Sequence, residues 1–395
     1  MTCTANCSQV GICSFNNTCI CPPCFMGNRC ETSTNVIQFS LTFAIQWDIE
    51  TTGVNSNFNI PQFIYTFVIA AMLVMALTNN IACLQTFMKH DIRSTNCGLL
   101  QITYCIAGLI TIIGLEFRML TMLEFNQLTQ SYSYRYAACN VIPVIVIIMV
   151  DICMWLSSAL IVEFVLLECF NFNLYRSRRF AVISSISGTI LTIGTHFHEI
   201  IARRPLPGPI RASLYSCTFA FPLPLDIIDK TLRVCHVILP LTVHFLGIIV
   251  MIVNITRRTL LVHSRDDFFH VFIEQCIKRK HFFVPPFLII LSNLPHLILH
   301  LKDECEDARN TNILRLHIAF NILIYLPPSI TFFVYIFPSK SYMHQFQTTP
   351  MGRWLKRIYN CNYKRNIRRI SIQSRVISNK TVFSNLSFSA RIIEK

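Results

Sequence analysis

The sequence predicts an all-α integral membrane protein, a bundle of seven membrane-crossing helices preceded by a small disulfide-rich module. The 395 residues are 53% hydrophobic and only 14% charged, whereas a soluble domain is about 25% charged. The apolar residues fall into seven runs, each long enough to cross the ~30 Å hydrocarbon layer as a helix. Seven cysteines stand among the first thirty residues, a density typical of extracellular modules too small to build a core.

The seven predicted spans are bounded by charged residues or by clusters of proline, asparagine and serine. The fourth carries "SSISGT" and the seventh carries "YLPPS", which membrane helices tolerate because their neighbours satisfy the freed backbone groups. The spans cover residues 61–87, 97–117, 139–167, 180–199, 234–256, 281–301 and 312–337.

The positions of lysine and arginine predict the orientation, because both are in excess on the cytoplasmic side of a membrane protein. With the amino terminus outside, 23 of the 34 lysines and arginines lie in cytoplasmic segments and 11 lie on the outer side. We therefore expect a plasma-membrane protein with an extracellular amino terminus, the first span acting as a reverse signal anchor, and a cytoplasmic carboxyl terminus. Anionic membrane lipid accounts for a basic inner face, so the net charge of +14 requires no nucleic acid partner.

Residues 1–31 carry six cysteines in the pattern C-x3-C-x5-C-x5-C-x-C-x8-C, whose spacing alone leaves every connectivity open. With Gly27 and Glu31, the pattern resembles an epidermal-growth-factor-like (EGF-like) module. The resemblance implies an extracellular disulfide-held spacer or a partner-binding module. It implies the pairs Cys3–Cys13, Cys7–Cys19 and Cys21–Cys30.

Cys24 departs from the EGF-like pattern, which usually has a glycine at that position. Three fates are open for its thiol: it stays free, it pairs with Cys305, or it crosslinks two chains. Asn6 and Asn16 stand in N-x-[ST] sequons and are predicted glycosylation sites if the segment enters the secretory lumen. Residues 32–60 are predicted to be an extracellular linker.

Residues 61–346 resemble the rhodopsin-like G-protein-coupled receptors. The resemblance implies a bundle that senses an extracellular ligand and contacts a heterotrimeric G protein or arrestin, and a short amphipathic helix in "YIFPSKSYMHQF" after the last span. It also implies a disulfide between Cys139 and Cys217. The matching residues, in the order and spacing of the family, are Asn80, Cys139, Cys217, Glu163, Pro240, Pro295 and Tyr335.

Two departures concern the family's signalling motifs. Phe164 follows Glu163 where the family has an arginine, so we expect Glu163 to turn to water or to pair with Arg178 or Arg179. Thr331 and Phe332 replace the asparagine and proline before Tyr335, and the helix break is expected to move back to Pro327 and Pro328.

Ionisable residues inside a span are costly to bury and mark candidate sites. Asp151 is expected near mid-membrane, either in an interhelical hydrogen bond or as the counterion of a ligand amine. The candidate histidines and Glu199 are expected to pack between helices rather than to bind a metal. We expect no enzyme motif, cofactor or metal. The candidates are Asp151, His244, His296 and His300, with His196, His198 and Glu199 at the outer end of the fourth span.

Residues 347–395 form a basic, serine- and asparagine-rich cytoplasmic tail that is too weakly hydrophobic to build a core. Cys361 is a candidate palmitoylation site, and Ser371 follows a pair of arginines that suits basophilic kinases. The sequence as a whole predicts a receptor of unknown ligand. The alternatives are a membrane-anchored adhesion or scaffold protein acting through the EGF-like module, favoured by Phe164, and a channel or transporter, for which no paired repeat is visible.

Overall fold

The computed structural model describes most of the bundle and isolated parts of the amino-terminal segment. Six helices in the described residues are long and apolar enough to cross a membrane, so the chain is an all-α, multi-pass membrane protein. The described residues are 60–122, 132–170, 174–207, 215–219, 223–262, 268–302 and 311–358, together with 12–13, 19–20, 25–26, 30, 32–33, 41, 44–45 and 48–49.

The first five long helices lie close to the first five predicted spans. Helix α3 is preceded by a π-helical turn, Ala137–Val141, and packs against α2, α4 and α5, which makes it the centre of the bundle. A helix of about 28 residues is about 42 Å long, enough to span the bilayer with its interfaces. The helices are α1 (Ile60–Phe87), α2 (Asn96–Met122), α3 (Ile142–Phe170), α4 (Leu174–Ala202) and α5 (Leu223–Val262).

A two-stranded antiparallel hairpin joins α4 to α5 beside the turn that precedes α3. Its strands are β5 (Arg203–Pro207) and β6 (Tyr215–Phe219). After α5 come a short helix, α6 (Phe268–Lys278), and the sixth membrane helix, α7 (Lys280–Lys302). The inner and outer ends named below follow the predicted orientation, in which the hairpin is extracellular and α6 is cytoplasmic.

The seventh predicted span is not one helix. It consists of α8 (Thr311–Ile324), α9 (Leu326–Ser329) and a π-helical turn, Phe332–Ile336, none of which is long enough to cross a bilayer alone. Two adjacent prolines cause the break, because each lacks an N–H and its ring clashes with the carbonyl four residues earlier. The structure confirms the predicted break at Pro327 and Pro328, while the count of seven crossings stays a prediction.

Part of the predicted 32–60 linker packs against the outer end of the bundle. Its described helical residues repeat at the spacing of one helix face and contact side chains of α1, α2 and α8. Asp48 is fully buried there, accepting a hydrogen bond from the Tyr65 hydroxyl at 2.7 Å and one from Arg315 Nε at 3.2 Å. This face is formed by Leu41, Ala44, Ile45, Asp48 and Ile49.

The amino-terminal module is described only at Cys30 and in three two-residue strands, and a fourth strand lies just after it. The strands are numbered β1 to β4 in chain order and paired as β1 with β2 and β3 with β4. Cys19 and Cys30 are disulfide-bonded, but the bonds themselves are not among the described contacts. The predicted pairings, the fate of Cys24 and Cys305, and the sequons at Asn6 and Asn16 therefore stay predictions. The four strands are Ile12–Cys13, Cys19–Ile20, Phe25–Met26 and Thr32–Ser33.

A short amphipathic helix, α10 (Lys340–Gln347), follows the last π-helical turn. The Ser339 side chain caps it by accepting a hydrogen bond from the Tyr342 N–H, and buried Phe346 packs its ring against Phe332 at 4.7 Å. Residues 350–358 are also helical, which adds ordered structure to the predicted tail. Cys361 and Ser371 lie outside the described residues.

Candidate functional site: a buried ionic network beside a small cavity

His196 on α4 connects two carboxylates in the outer half of the bundle. Its Nε2 lies 2.8 Å from Oδ2 of Asp151 on α3, and its Nδ1 lies 2.7 Å from Oε1 of Glu199, one turn later on α4. A carboxylate accepts but does not donate, so an imidazole bonded to both requires a proton on each nitrogen. Asp151 therefore takes part in an interhelical hydrogen bond, one of the two roles expected for it.

Two arginines complete the pairing of Glu199, which is fully buried. Its Oε2 accepts a hydrogen bond from Arg203 Nη2 at 2.7 Å and lies 3.0 Å from Nη2 of Arg233 on α5. Arg233 also donates from Nε to Asp229, whose other oxygen lies 2.9 Å from His198 Nε2. A buried charge is tolerated only when it is paired and hydrogen-bonded. We call Asp151, His196, Glu199, Arg203, Asp229 and Arg233 the ionic network.

The ionic network alternates acids and bases across α3, α4 and α5. Burial lowers the pKa of Arg203 below its ordinary value, and the adjacent Glu199 carboxylate opposes that fall. The pairs Glu199 to Arg203 and Asp229 to Arg233 are each four residues apart, so each pair forms within one local segment. The contacts of His196 with Asp151 and of Arg233 with Glu199 then connect the three helices.

A second histidine, His236 on α5, lies beside His196 with its ring centre 5.1 Å away. The indole N–H of Trp155 donates to its Nδ1 at 3.0 Å, which leaves the proton on Nε2, 2.8 Å from the Thr195 hydroxyl. The possible ligand atoms of Asp151, His196 and His236 lie within 4.8 Å of one another. All four ring nitrogens of the two histidines form hydrogen bonds, however, so a metal ion could bind a histidine only by breaking one of these bonds.

A cavity of about 110 Å³ opens beside the ionic network, between α3, α5, α7 and the end of α8. An apolar cavity of about 150 Å³ holds benzene, so this one accommodates a group of a few heavy atoms. Asp151 and Arg233 belong to both the network and the cavity wall. The polar residues of the wall are Asp151, Arg233, Asn293, His296, Asn321 and Tyr325.

At the inner end, α3 is joined to α5 and α7 by different contacts. The rings of Phe164 and Phe282 meet edge to face at 4.8 Å, and Arg279 Nη1 donates to Glu168 Oε2 at 2.9 Å. We call these four residues the inner latch. Arg258 of α5 donates to the Glu168 and Cys169 carbonyls at 2.8 and 2.9 Å, which caps the end of α3.

The residues singled out around the break in the seventh span converge in the structure. Asn80 donates from Nδ2 to the Pro328 carbonyl at 2.8 Å and accepts from the Thr331 hydroxyl at 2.9 Å. Thr331 therefore forms a hydrogen bond at the position where the receptor resemblance expects asparagine. The hydroxyl of Tyr335 lies 3.2 Å from the Ser157 hydroxyl on α3.

The remaining predicted residues lie apart from one another. Pro240 lies within α5, where its carbonyl accepts from Ser158 at 3.4 Å, and Pro295 lies within α7. Glu163 is 1% exposed and lies beside Cys97. Of its two expected outcomes, the one in which it turns to water is therefore wrong, and its pairing with Arg178 or Arg179 stays a prediction. His244 is fully buried, and neither ring nitrogen has a hydrogen-bond partner within the described part of the chain.

Two predicted residues are described only in part. Cys139 is disulfide-bonded, and β6, which contains Cys217, packs against the turn that contains Cys139. The partner of Cys139 lies outside the described side chains, so the pairing of Cys139 with Cys217 stays a prediction. His300 lies in α7, but its side chain is outside the described part, whereas His296 is half-buried in the cavity wall.

The sequence did not single out Arg203 and Arg233, which were counted only among the eleven basic residues on the outer side. Both are part of the buried ionic network. Their four-residue spacing from Glu199 and from Asp229 is visible in the sequence and is the spacing of ion pairs on one helix face. The contact of Arg233 with a carboxylate on another helix has no such local signal.

Comparisons with known proteins assign no family to this arrangement. No protein-family model matches the chain, and no curated protein matches it.

Proposed function

We propose that this chain is a cell-surface receptor of the rhodopsin-like type, with a ligand site in the cavity beside the ionic network. The supporting observation is that polar groups from α3, α5, α7 and α8 converge on one cavity. Ligand sites are commonly concave, with a few well-placed polar groups. The cavity size favours a ligand that inserts a small polar group there.

Asp151 and Arg233 connect the cavity to the helix packing. A ligand shifts a conformational equilibrium only through different affinities for the two states. A ligand group that pairs with Arg233 competes with Glu199 and Asp229 for the same guanidinium, and a group that pairs with Asp151 competes with His196. Either competition alters how α5 and α4 are held against α3, which gives the ligand a physical means of moving helices.

In such a receptor, the conformational change would reach a transducer at the inner latch. Phe164 and Glu168 on α3 contact Phe282 and Arg279, which lie at or just before the start of α7. Separation of α7 from α3 must break these two contacts. The ion pair is partly exposed, with each side chain 36% accessible, so its loss costs little.

The alternative is a membrane-anchored adhesion or scaffold protein in which the EGF-like module binds an extracellular partner. Phe164 favours it, because the side chain that replaces the family's arginine is engaged with Phe282 and offers no charge to a transducer. In that case the bundle anchors the module without signalling.

Transducer recruitment in cells tests the proposal. Basal recruitment of each main G-protein class and of arrestin is measured for the wild type, for Phe164→Arg and for the control Phe170→Arg, at matched surface expression. Phe170 is 67% exposed at the end of α3, so the control adds the same charge without replacing the motif position. We expect recruitment by the wild type or by Phe164→Arg and none gained by the control. No recruitment by any of the three would favour the adhesion alternative.

A further inference from the structure

Helix α6 has an apolar half that the described part of the chain leaves largely exposed. Its sequence, FFHVFIEQCIK, places apolar residues at the spacing of one helix face. Within this set, Phe269 is 71% exposed and Ile277 is 69% exposed. The face is formed by Phe268, Phe269, Phe272, Ile273, Cys276 and Ile277, and we call it the apolar stripe.

The apolar stripe points away from the bundle. Val271 is the buried residue of α6, and it projects from the opposite side of the helix. The polar residues occupy the remaining arc, where Lys278 pairs with Glu274 at 2.6 Å. A helix on the surface of a water-soluble domain turns its apolar face inward, so this outward arrangement requires another apolar medium.

The position of α6 favours lipid as that medium. The helix follows α5 and directly precedes α7, two helices of membrane-spanning length. Leu261 at the end of α5 is 85% exposed, so exposed apolar surface reaches the end of α5 that precedes α6. Eleven residues extend for about 16 Å, too short to cross the bilayer but suited to lie along its surface.

The charges around α6 favour anionic lipid. Arg257 is exposed near the end of α5, and Lys278 and Lys280 are exposed on either side of the junction with α7. Basic side chains beside an in-plane apolar face are the usual arrangement of interfacial helices, because they meet the negative headgroups while the apolar side chains enter the acyl region.

We propose that α6 is an in-plane membrane helix whose apolar stripe is inserted into an anionic lipid leaflet. This inference does not rest on the receptor proposal, since an adhesion protein with the same bundle would have the same helix. It adds a lipid-binding surface to the connection between α5 and α7. The connection is thereby held at the membrane surface, beside the inner latch.

Photocrosslinking of the full-length chain in lipid nanodiscs tests this surface. A benzophenone amino acid replaces Phe269 or Ile277 in the apolar stripe, and Glu274, whose side chain is 44% exposed on the polar side, in the matched control. The discs contain phosphatidylcholine alone or with phosphatidylserine, and lipid adducts are measured by mass spectrometry of the α6 peptide. We expect severalfold more lipid adduct at positions 269 and 277 than at 274, and more in the anionic discs.

A further variant and an experiment in cells distinguish anionic lipid from the other molecules that could cover the apolar stripe. Replacing Arg257 and Lys278 by glutamine should reduce the gain in adduct caused by phosphatidylserine. Equal adduct at all three positions would overturn insertion of the stripe, and equal adduct in neutral and anionic discs would overturn the assignment to anionic lipid. If irradiation of the Phe269 and Ile277 variants in cells joins them mainly to a partner protein or to a second copy, a protein interface replaces the proposal.

Discussion

The two ends of the bundle hold α3 to its neighbours by different chemistry. The outer half uses the ionic network, whose central carboxylate, Glu199, is fully buried and contacts one histidine and two arginines. The inner end uses one aromatic pair, one partly exposed ion pair and two exposed hydrogen bonds from Arg258 to carbonyls at the end of α3. A buried network loses much when one member is removed, whereas an exposed pair loses little. The difference indicates a rigid outer half and an inner end that separates at low cost.

The largest expected effect is at Glu199. Glu199→Gln removes the charge that faces His196, Arg203 and Arg233, and breaking a buried charge pair costs about 3–5 kcal/mol. We expect a large fall in the thermal unfolding midpoint of the purified protein and reduced surface expression. Glu274→Gln, at an exposed pair with Lys278, is the control. Equal midpoints for the two variants would show that the outer network does not stabilise the fold.

Asp151→Asn is expected to have a smaller effect, since His196 keeps its contact with Glu199. The asparagine oxygen still accepts from His196, so the variant removes the charge and not the hydrogen bond, and we expect a cost below the about 1.5–3 kcal/mol of a complete hydrogen bond to a charged group. A double-mutant cycle with His196→Gln, followed by thermal unfolding, measures the coupling between the two side chains. Additive effects would mean that the 2.8 Å contact between Asp151 and His196 contributes nothing to stability.

The aromatic pair of the inner latch should contribute still less to the free energy of unfolding. Edge-to-face aromatic pairs contribute about 0.5–1.5 kcal/mol beyond their buried area, so Phe164→Leu and Phe282→Leu should show a coupling of that size in a double-mutant cycle. Leucine keeps most of the apolar volume and removes the ring contact seen at 4.8 Å. A coupling as large as that of Asp151 with His196 would remove the contrast between the two ends.

Arg279→Gln is expected to have the smallest effect. It removes a partly exposed ion pair with Glu168, which contributes about 0–1 kcal/mol and weakens with salt. The unfolding midpoint should change little, and the change should shrink further at high salt. A fall as large as that of Glu199→Gln would identify this pair as a buried structural contact and contradict the proposed weak inner end.

Much of the bundle was predictable from the sequence because long apolar runs fix the positions of membrane helices. The fifth span was predicted too short, as 234–256 instead of Leu223–Val262, because Asp229 and Arg233 interrupt the apolar run. Pairing neutralises their charges inside the bundle, which no hydropathy window detects. The break at Pro327 and Pro328 was predictable since proline acts locally.

The candidate site was predictable only in fragments. Asp151 stood out as an intramembrane acid, and the acids and bases four residues apart were readable as local pairs. Residues 41–49 also carry a helical repeat of apolar residues that the linker interpretation overlooked. The cavity and the contacts among α3, α4 and α5 required the packed structure, because they join residues that are far apart in the sequence.

The most direct test of the receptor account combines the two weak contacts of the inner latch. Arg279→Gln with Phe282→Leu removes both contacts of the inner latch while leaving the outer ionic network intact. The account predicts that this double variant recruits a G protein or arrestin above the wild-type level at equal surface expression. Recruitment at background for every transducer, in the double variant as in the wild type, would contradict a bundle that signals through separation at its inner end.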